Sequence, residues 1–168
     1  MTVLVVMGVS GAGKSTVAAL LAGRLGWGFA EGDDLHPAAN VQKMHDGHPL
    51  TDKDRQPWLA RIAGWIDERI AAGESAVISC SALKRSYRDV LRRDCVVFVH
   101  LTGTREQLGR RLRVRHGHFM PAELLDSQLA DLESPGPDEH AITVQIAESP
   151  TDEVDEVIAA LALEPQAR

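Results

Sequence analysis

The sequence predicts an α/β fold, a parallel sheet wrapped by helices, on three observations. Apolar runs of strand length alternate with helical patterns along the chain. The first run, Val3-Leu4-Val5-Val6-Met7, leads directly into Gly8-Val9-Ser10-Gly11-Ala12-Gly13-Lys14-Ser15, which reads G-x-x-x-x-G-K-S, and a helical pattern from Thr16 to Ala22 follows. That strand–loop–helix order is the context a phosphate-binding P-loop requires. Finally, 168 residues, 44% of them hydrophobic, suffice for one sizeable core, so residues 1–168 are read as a single domain.

Five strands are expected: Val3–Met7, Gly28–Glu31, Ala76–Cys80, Cys95–Leu101 and Thr143–Ile146, the second being short. The first helix runs from Lys14 to Leu25 and stops at Gly26. A short helix, Ala38–His45, is opened by Pro37 and closed by Gly47. Thr51 is the N-cap of a longer helix to Ala72, stopped by Gly73, with Pro57 near its first turn predicting a kink or a later start. Ser81 or Ser86 caps a helix to Arg93, Thr104 begins one to Arg115, Pro121 opens Ala122–Glu133, and Ser149-Pro150 opens a last one to Ala162. Two polar excursions interrupt the alternation, residues 32–57 and 116–140. In an open α/β sheet, ligands bind beyond the carboxyl ends of the strands, so insertions there are natural covers over a nucleotide and its acceptor.

Composition narrows the partners. No stretch approaches the roughly 20 apolar residues of a membrane span, and the first apolar run lacks a preceding basic region, which predicts no membrane or signal segment. Cys80 and Cys95 have no C-x-x-C or zinc spacing and predict buried thiols in a reduced, cytoplasmic chain. The net charge of −6 is uneven: residues 1–115 hold 17 Lys/Arg against 12 Asp/Glu, whereas residues 116–168 hold 12 acids and Arg168 alone. A basic N-terminal part suits a small polyanionic ligand, and overall acidity argues against nucleic acid or anionic membrane. The acidic third reads as solvated surface.

The residue types then assign chemistry. The loop amides from Gly8 to Thr16 can ring a phosphate, Lys14 can reach the β- and γ-phosphates, and the Ser15 hydroxyl can ligate Mg²⁺. Gly32-Asp33-Asp34-Leu35-His36-Pro37 follows the second strand at the same sheet edge. Asp33 there is suited to orient or deprotonate an acceptor hydroxyl in line with the γ-phosphate. No acid ends the third strand, so Asp33 is also the expected carboxylate beside Mg²⁺. Arg55, Lys84 and Arg88 are candidates for an anionic acceptor, Lys84 and Arg88 sharing a helix face at i, i+4. Arg111 and Arg115 share another face, leading to His116-Gly117-His118, and are expected to close on the transferring phosphate. Arg105, Arg110 and Arg113 rank lower. His116 and His118 lack a zinc spacing.

Taken together, Gly8–Ser15, Gly32-Asp33-x-Leu35-His36-Pro37, Asn40-x-x-Lys43-Met44, Gly47-x-Pro49-Leu50-x-Asp52-x-Asp54-Arg55-x-Pro57-Trp58, Cys80-Ser81-Ala82-Leu83-Lys84-x-x-Tyr87-Arg88 and Gly117-His118-Phe119 resemble the motifs of the P-loop gluconokinases. The resemblance runs from Val5 to at least Glu139. Asp34 departs from it, since that position often carries an aromatic residue. It implies a nucleoside-monophosphate-kinase-like, three-layer α/β/α fold with a five-stranded parallel sheet, residues 32–57 as acceptor-binding region and 116–140 as lid. It further implies ATP and Mg²⁺ as cofactors, the 6-hydroxyl of D-gluconate as acceptor, and a homodimer. On this reading Arg55, Lys84, Arg88 and His36 hold the sugar acid, with His118 near Arg111 and Arg115. Another sugar acid, shikimate or a nucleoside monophosphate would be alternative acceptors, though for a nucleotide 32–57 has little aromatic surface to pocket a second base. A nucleotide-dependent switch is the alternative from another class, and the N-K-x-D signature of a GTPase is missing.

Overall fold

The structure, a computed structural model, describes residues 1–116 and 122–167, with side chains outside 115–123. The five strands are β1 (Val3–Met7), β2 (Gly28–Glu31), β3 (Ala76–Ser79), β4 (Val96–Thr102) and β5 (Ala141–Gln145). They form one sheet in the order β2-β3-β1-β4-β5, and every pairing is parallel. The helices are α1 (Lys14–Leu25), α2 (Ala38–His45), α3 (Asp52–Ala72), α4 (Arg85–Leu91), α5 (Arg105–His116), α6 (Ala122–Asp131) and α7 (Pro150–Ala160).

A parallel sheet buried on both faces needs apolar residues at successive positions, and β1 is wholly buried. Leu4 and Val6 pack with Val17 and Leu21 of α1 and Val154 and Val157 of α7. Val3, Val5 and Met7 pack with Trp58, Ile62 and Ile66 of α3 and Leu91 of α4. The sheet therefore separates two cores, the three-layer arrangement expected.

Helix signals were accurate where they were local. The first three helices have the expected bounds, and α1 and α3 end on Gly26 and Gly73 in the left-handed conformation. Pro57 does not delay α3: Thr51 and Asp54 close a capping box that fixes the first turn from Asp52. The helix before β4 differs more. It starts at Arg85, not at a serine cap, because Lys84 is still extended (φ −94°, ψ 146°), and it ends at Leu91. Strands β3 and β4 begin or end one residue from expectation, and β5 starts two residues early.

All strands run the same way, so the segments after β1, β2 and β3 emerge on one edge: the loop to α1, the 3₁₀ turn Gly32–Leu35, and Cys80–Lys84. Gly32 makes this convergence feasible, since a Cβ there would lie 2.0 Å from the Ser79 carbonyl oxygen.

Candidate active site

The loop between β1 and α1 is closed from within. The Ala12 amide donates to the Val9 carbonyl at 3.2 Å, and Lys14 Nζ donates to the same oxygen at 3.1 Å. Gly8 turns at φ 146° against Leu101, whose carbonyl oxygen a Cβ would meet at 2.7 Å. Gln128 of α6 clasps Ser10: its Oε1 accepts from the Ser10 amide at 2.7 Å and its Nε2 donates to Ser10 Oγ at 3.0 Å. An open recess beside this loop is lined by Gly11, Gly13, Thr16 and Arg111.

Arg111 is held as a wall of that recess. It donates to the Ala12 carbonyl at 3.2 Å, to the Ala147 carbonyl, and to Glu153 Oε1 at 3.1 Å. Glu153 is buried and also accepts from the Ala147 amide at 2.8 Å. Arg111, expected to close on the transferring phosphate, is thus bonded to the loop, to the β5–α7 connection and to a buried carboxylate while it lines the recess. The side chain of Arg115, and His118 altogether, lie outside the described residues.

The carboxylate bonded to Ser15 is Glu31, a residue that the expected Ser15–Asp33 pairing at a metal did not include. Ser15 Oγ donates to Glu31 Oε1 at 2.9 Å, and Ser79 Oγ donates to the same oxygen. The cause is the strand order: β2 lies against β3 with Glu31 opposite Ser79, which carries the Glu31 carboxylate to the loop. Among the described residues no group of three His, Cys, Asp or Glu could hold a metal. Ser15 and Glu31 are hard oxygen donors, a pair that fits Mg²⁺ only if phosphate oxygens and water complete its shell.

Asp33 stands exposed on the 3₁₀ turn after β2. His36 stacks on Trp58, ring centroids 4.4 Å apart, and Trp58 Nε1 donates to the Gly32 carbonyl at 2.8 Å, which fixes the turn to α3. Burial lowers the His36 pKa; the Asp33 charge opposes this and the Arg55 charge adds to it. Burial pushes the Cys80 thiol up to about 12, with smaller opposite effects from Asp33 and Lys14.

Arg55 and Lys84 come together around Tyr87. Arg55 Nη1 donates to Tyr87 Oη at 3.3 Å and to the Leu50 carbonyl at 2.9 Å, and Lys84 Nζ lies 3.1 Å from Asp52 Oδ1. Arg88 does not join them. It is 1% exposed, bound through Nε and Nη2 to both carboxylate oxygens of Glu139 at 2.6 and 3.1 Å, and through Nη1 to the carbonyls of Ala82 and Leu83. The expected contact between Arg88 and an acceptor carboxylate is corrected on that ground: its donors face inward. Lys84 precedes the helix that carries Arg88, so the two do not share a helical face.

Asp52 and Tyr87 stand in the motifs of the family resemblance but had no role assigned, and Glu31, Gln128 and Glu153 lie outside those motifs. Glu31 carried a signal of its own, an acid ending a strand on the loop's edge; Gln128 and Glu153 are brought in by pairings distant in sequence.

Residues 3–135 match the family described as "AAA domain". The gluconokinase of Gluconobacter oxydans (strain 621H) is 57% identical over 157 residues, 92% of this chain and 88% of that protein. The crystal structure of a gluconokinase from Sinorhizobium meliloti 1021 superposes with a TM-score of 0.87 at 48% identity, covering 96% of this chain and 91% of that one. An unliganded sugar kinase from Janibacter sp. HTCC2649 superposes at 0.89 with 47% identity, covering 98% and 96%.

Proposed function

The chain belongs to the gluconokinase family and is a P-loop kinase, and we propose that it transfers the γ-phosphoryl group of ATP to the 6-hydroxyl of D-gluconate. The observation that carries the reading is the convergence at one edge of the parallel sheet of the Gly8–Ser15 loop, the Gly32–Leu35 turn that bears Asp33, and the Cys80–Lys84 segment. The homodimer implied by the sequence resemblance belongs to the same proposal.

In this reading the amides of the Gly8–Thr16 loop and Lys14 hold the β- and γ-phosphates, and Arg111 walls the nucleotide recess. Ser15 and Glu31 would hold Mg²⁺, which when bound neutralises charge on the β- and γ-phosphate oxygens. Arg55 and Lys84 bind the gluconate carboxylate, and His36, whose pKa is lowered by burial, can hydrogen-bond a sugar hydroxyl. Asp33 accepts the proton of the 6-hydroxyl as its oxygen bonds to the γ-phosphorus. The bond from that phosphorus to the β,γ-bridging oxygen breaks, and ADP carries away the electron pair. The acceptor region 32–57 and the lid 116–140 keep water from the phosphorus.

A coupled ADP-release assay across gluconate, other aldonates, shikimate and nucleoside monophosphates tests the acceptor. Gluconate-dependent turnover is expected, and its absence would sink the reading. D33N should lower kcat at least ~10²-fold, while near-normal turnover would remove Asp33 as the base.

A further inference from the structure

The two acceptor-side cations stand on different elements, Arg55 in α3 and Lys84 before α4, and like charges so placed repel. What joins them is Tyr87. Its hydroxyl accepts from Arg55 Nη1 at 3.3 Å and donates to Asp52 Oδ1, and Asp52 in turn holds Lys84 Nζ at 3.1 and 3.3 Å. The ring adds a second tie, with the Arg55 guanidinium carbon 5.6 Å and Lys84 Nζ 5.8 Å from its centroid, distances at which a cation is drawn to the π face. The ring itself cannot drift: Tyr87 is 6% exposed and packs in the core shared by Trp58 and Leu91.

One hydroxyl thus sets the spacing of two cations, and Asp33 sits on the Gly32–Leu35 turn, which Trp58 of α3, the helix that also carries Arg55, pins through the Gly32 carbonyl at 2.8 Å. A linear acid whose carboxylate is gripped by Arg55 and Lys84 can present to Asp33 only the hydroxyl that falls at that fixed distance. We infer that Tyr87 and Asp52 are positioning residues that make the acceptor site a ruler, restricting transfer to polyhydroxy acids of one chain length. The inference rests on the reading that Arg55 and Lys84 hold the acceptor.

Y87F keeps the ring and removes the joint; D52N takes the charge out of it from the exposed side and leaves the core untouched. Both are compared with R55A by steady-state kinetics on five-, six- and seven-carbon aldonates and on ATP, with melting temperatures recorded. Y87F and D52N should raise the gluconate KM about tenfold, the scale of one lost charge-assisted hydrogen bond. They should reduce selectivity for six carbons over five and seven by a similar factor, and change the ATP KM less than about twofold. Lower melting temperatures with unchanged gluconate KM and selectivity in both variants would overturn the inference in favour of a purely structural role. If R55A raises the gluconate KM and neither other variant does, the ruler fails and the acceptor reading stands. If R55A leaves that KM unchanged, the acceptor reading fails, and the ruler with it.

Discussion

Removing Glu139 separates a structural role for Arg88 from a substrate-binding one. In the native protein the Arg88 and Glu139 side chains are 1% and 3% exposed and bonded through two contacts, one to each carboxylate oxygen, and the Glu139 carboxylate also accepts from the Gly136 amide at 2.8 Å. E139A leaves a buried guanidinium with only the Ala82 and Leu83 carbonyls, and stranding a buried charge in this way costs about 3–5 kcal/mol. For a chain of this size each kcal/mol lowers Tm by roughly 2–4 °C, which puts the expected drop at about 6–20 °C. Thermal unfolding followed by circular dichroism reads it directly, and kinetics at 20 °C should show the gluconate and ATP KM changed less than about threefold. The pH dependence has a definite sign. The Arg88 hydrogen bond holds the Glu139 carboxyl below its ordinary value of 4.5, so an unfolded chain takes up this proton before the folded one does. The pair's contribution is complete above 4.5 and is lost as pH falls through the lowered folded-state value. E139A should therefore flatten the acid side of the stability profile as well as lower its plateau. A Tm within about 2 °C of the parent's, together with a gluconate KM raised tenfold, would refute the structural assignment and return Arg88 to the acceptor site.

E31Q should raise the Mg²⁺ concentration for half-maximal activity about tenfold and weaken Mn²⁺ binding to the ATP complex as read by electron paramagnetic resonance, with ATP affinity in chelator unchanged; parental Mn²⁺ binding would exclude Glu31 from the metal's shell. G32A should cost about 3 kcal/mol or prevent folding, because its Cβ would sit 2.0 Å from a backbone oxygen that belongs to β3 and cannot swing aside. An unchanged urea midpoint would show that β2 and β3 do not approach as described.

What could be read in the sequence was what is contiguous in it. The phosphate loop, its strand and its helix lie within 25 residues, and the glycine stops and the Thr51–Asp54 capping box are local signals, so β1, α1, α2 and α3 were recovered with their bounds. Arg88 was misassigned through a one-residue matter: counted from a serine cap, Lys84 and Arg88 share a helical face, but the helix starts at Arg85 and Lys84 is extended. Its partner Glu139 is 51 residues away, and no spacing rule reaches that far. Glu31 was hidden differently. The end of β3, the immediate neighbour of β1, carries no acid, whereas the sheet supplies one from β2, one strand further out, through the register that sets Glu31 opposite Ser79.

The same long-range pairing changes the meaning of the charge asymmetry. An excess of arginine before residue 116 suggested attraction of a polyanion, and an excess of acid after it suggested bare surface. The structure joins the two: Arg24 to Asp155, Arg85 to Asp138, Arg88 to Glu139, Arg105 to Asp126 and Arg111 to Glu153. The exposed pairs among them, such as Arg24–Asp155, contribute little stability each, but the buried acids do something else. Glu139 turns Arg88 away from the site edge, and Glu153 fixes Arg111 along the wall of the nucleotide recess. The C-terminal third thus withdraws arginines from the ligand's reach and orients the one it leaves at the recess. In the proposed function the acceptor side then depends on Arg55 and Lys84, two cations joined through Tyr87 and Asp52. A net positive field attracts any anion, whereas two cations held at one separation can discriminate among sugar acids by length.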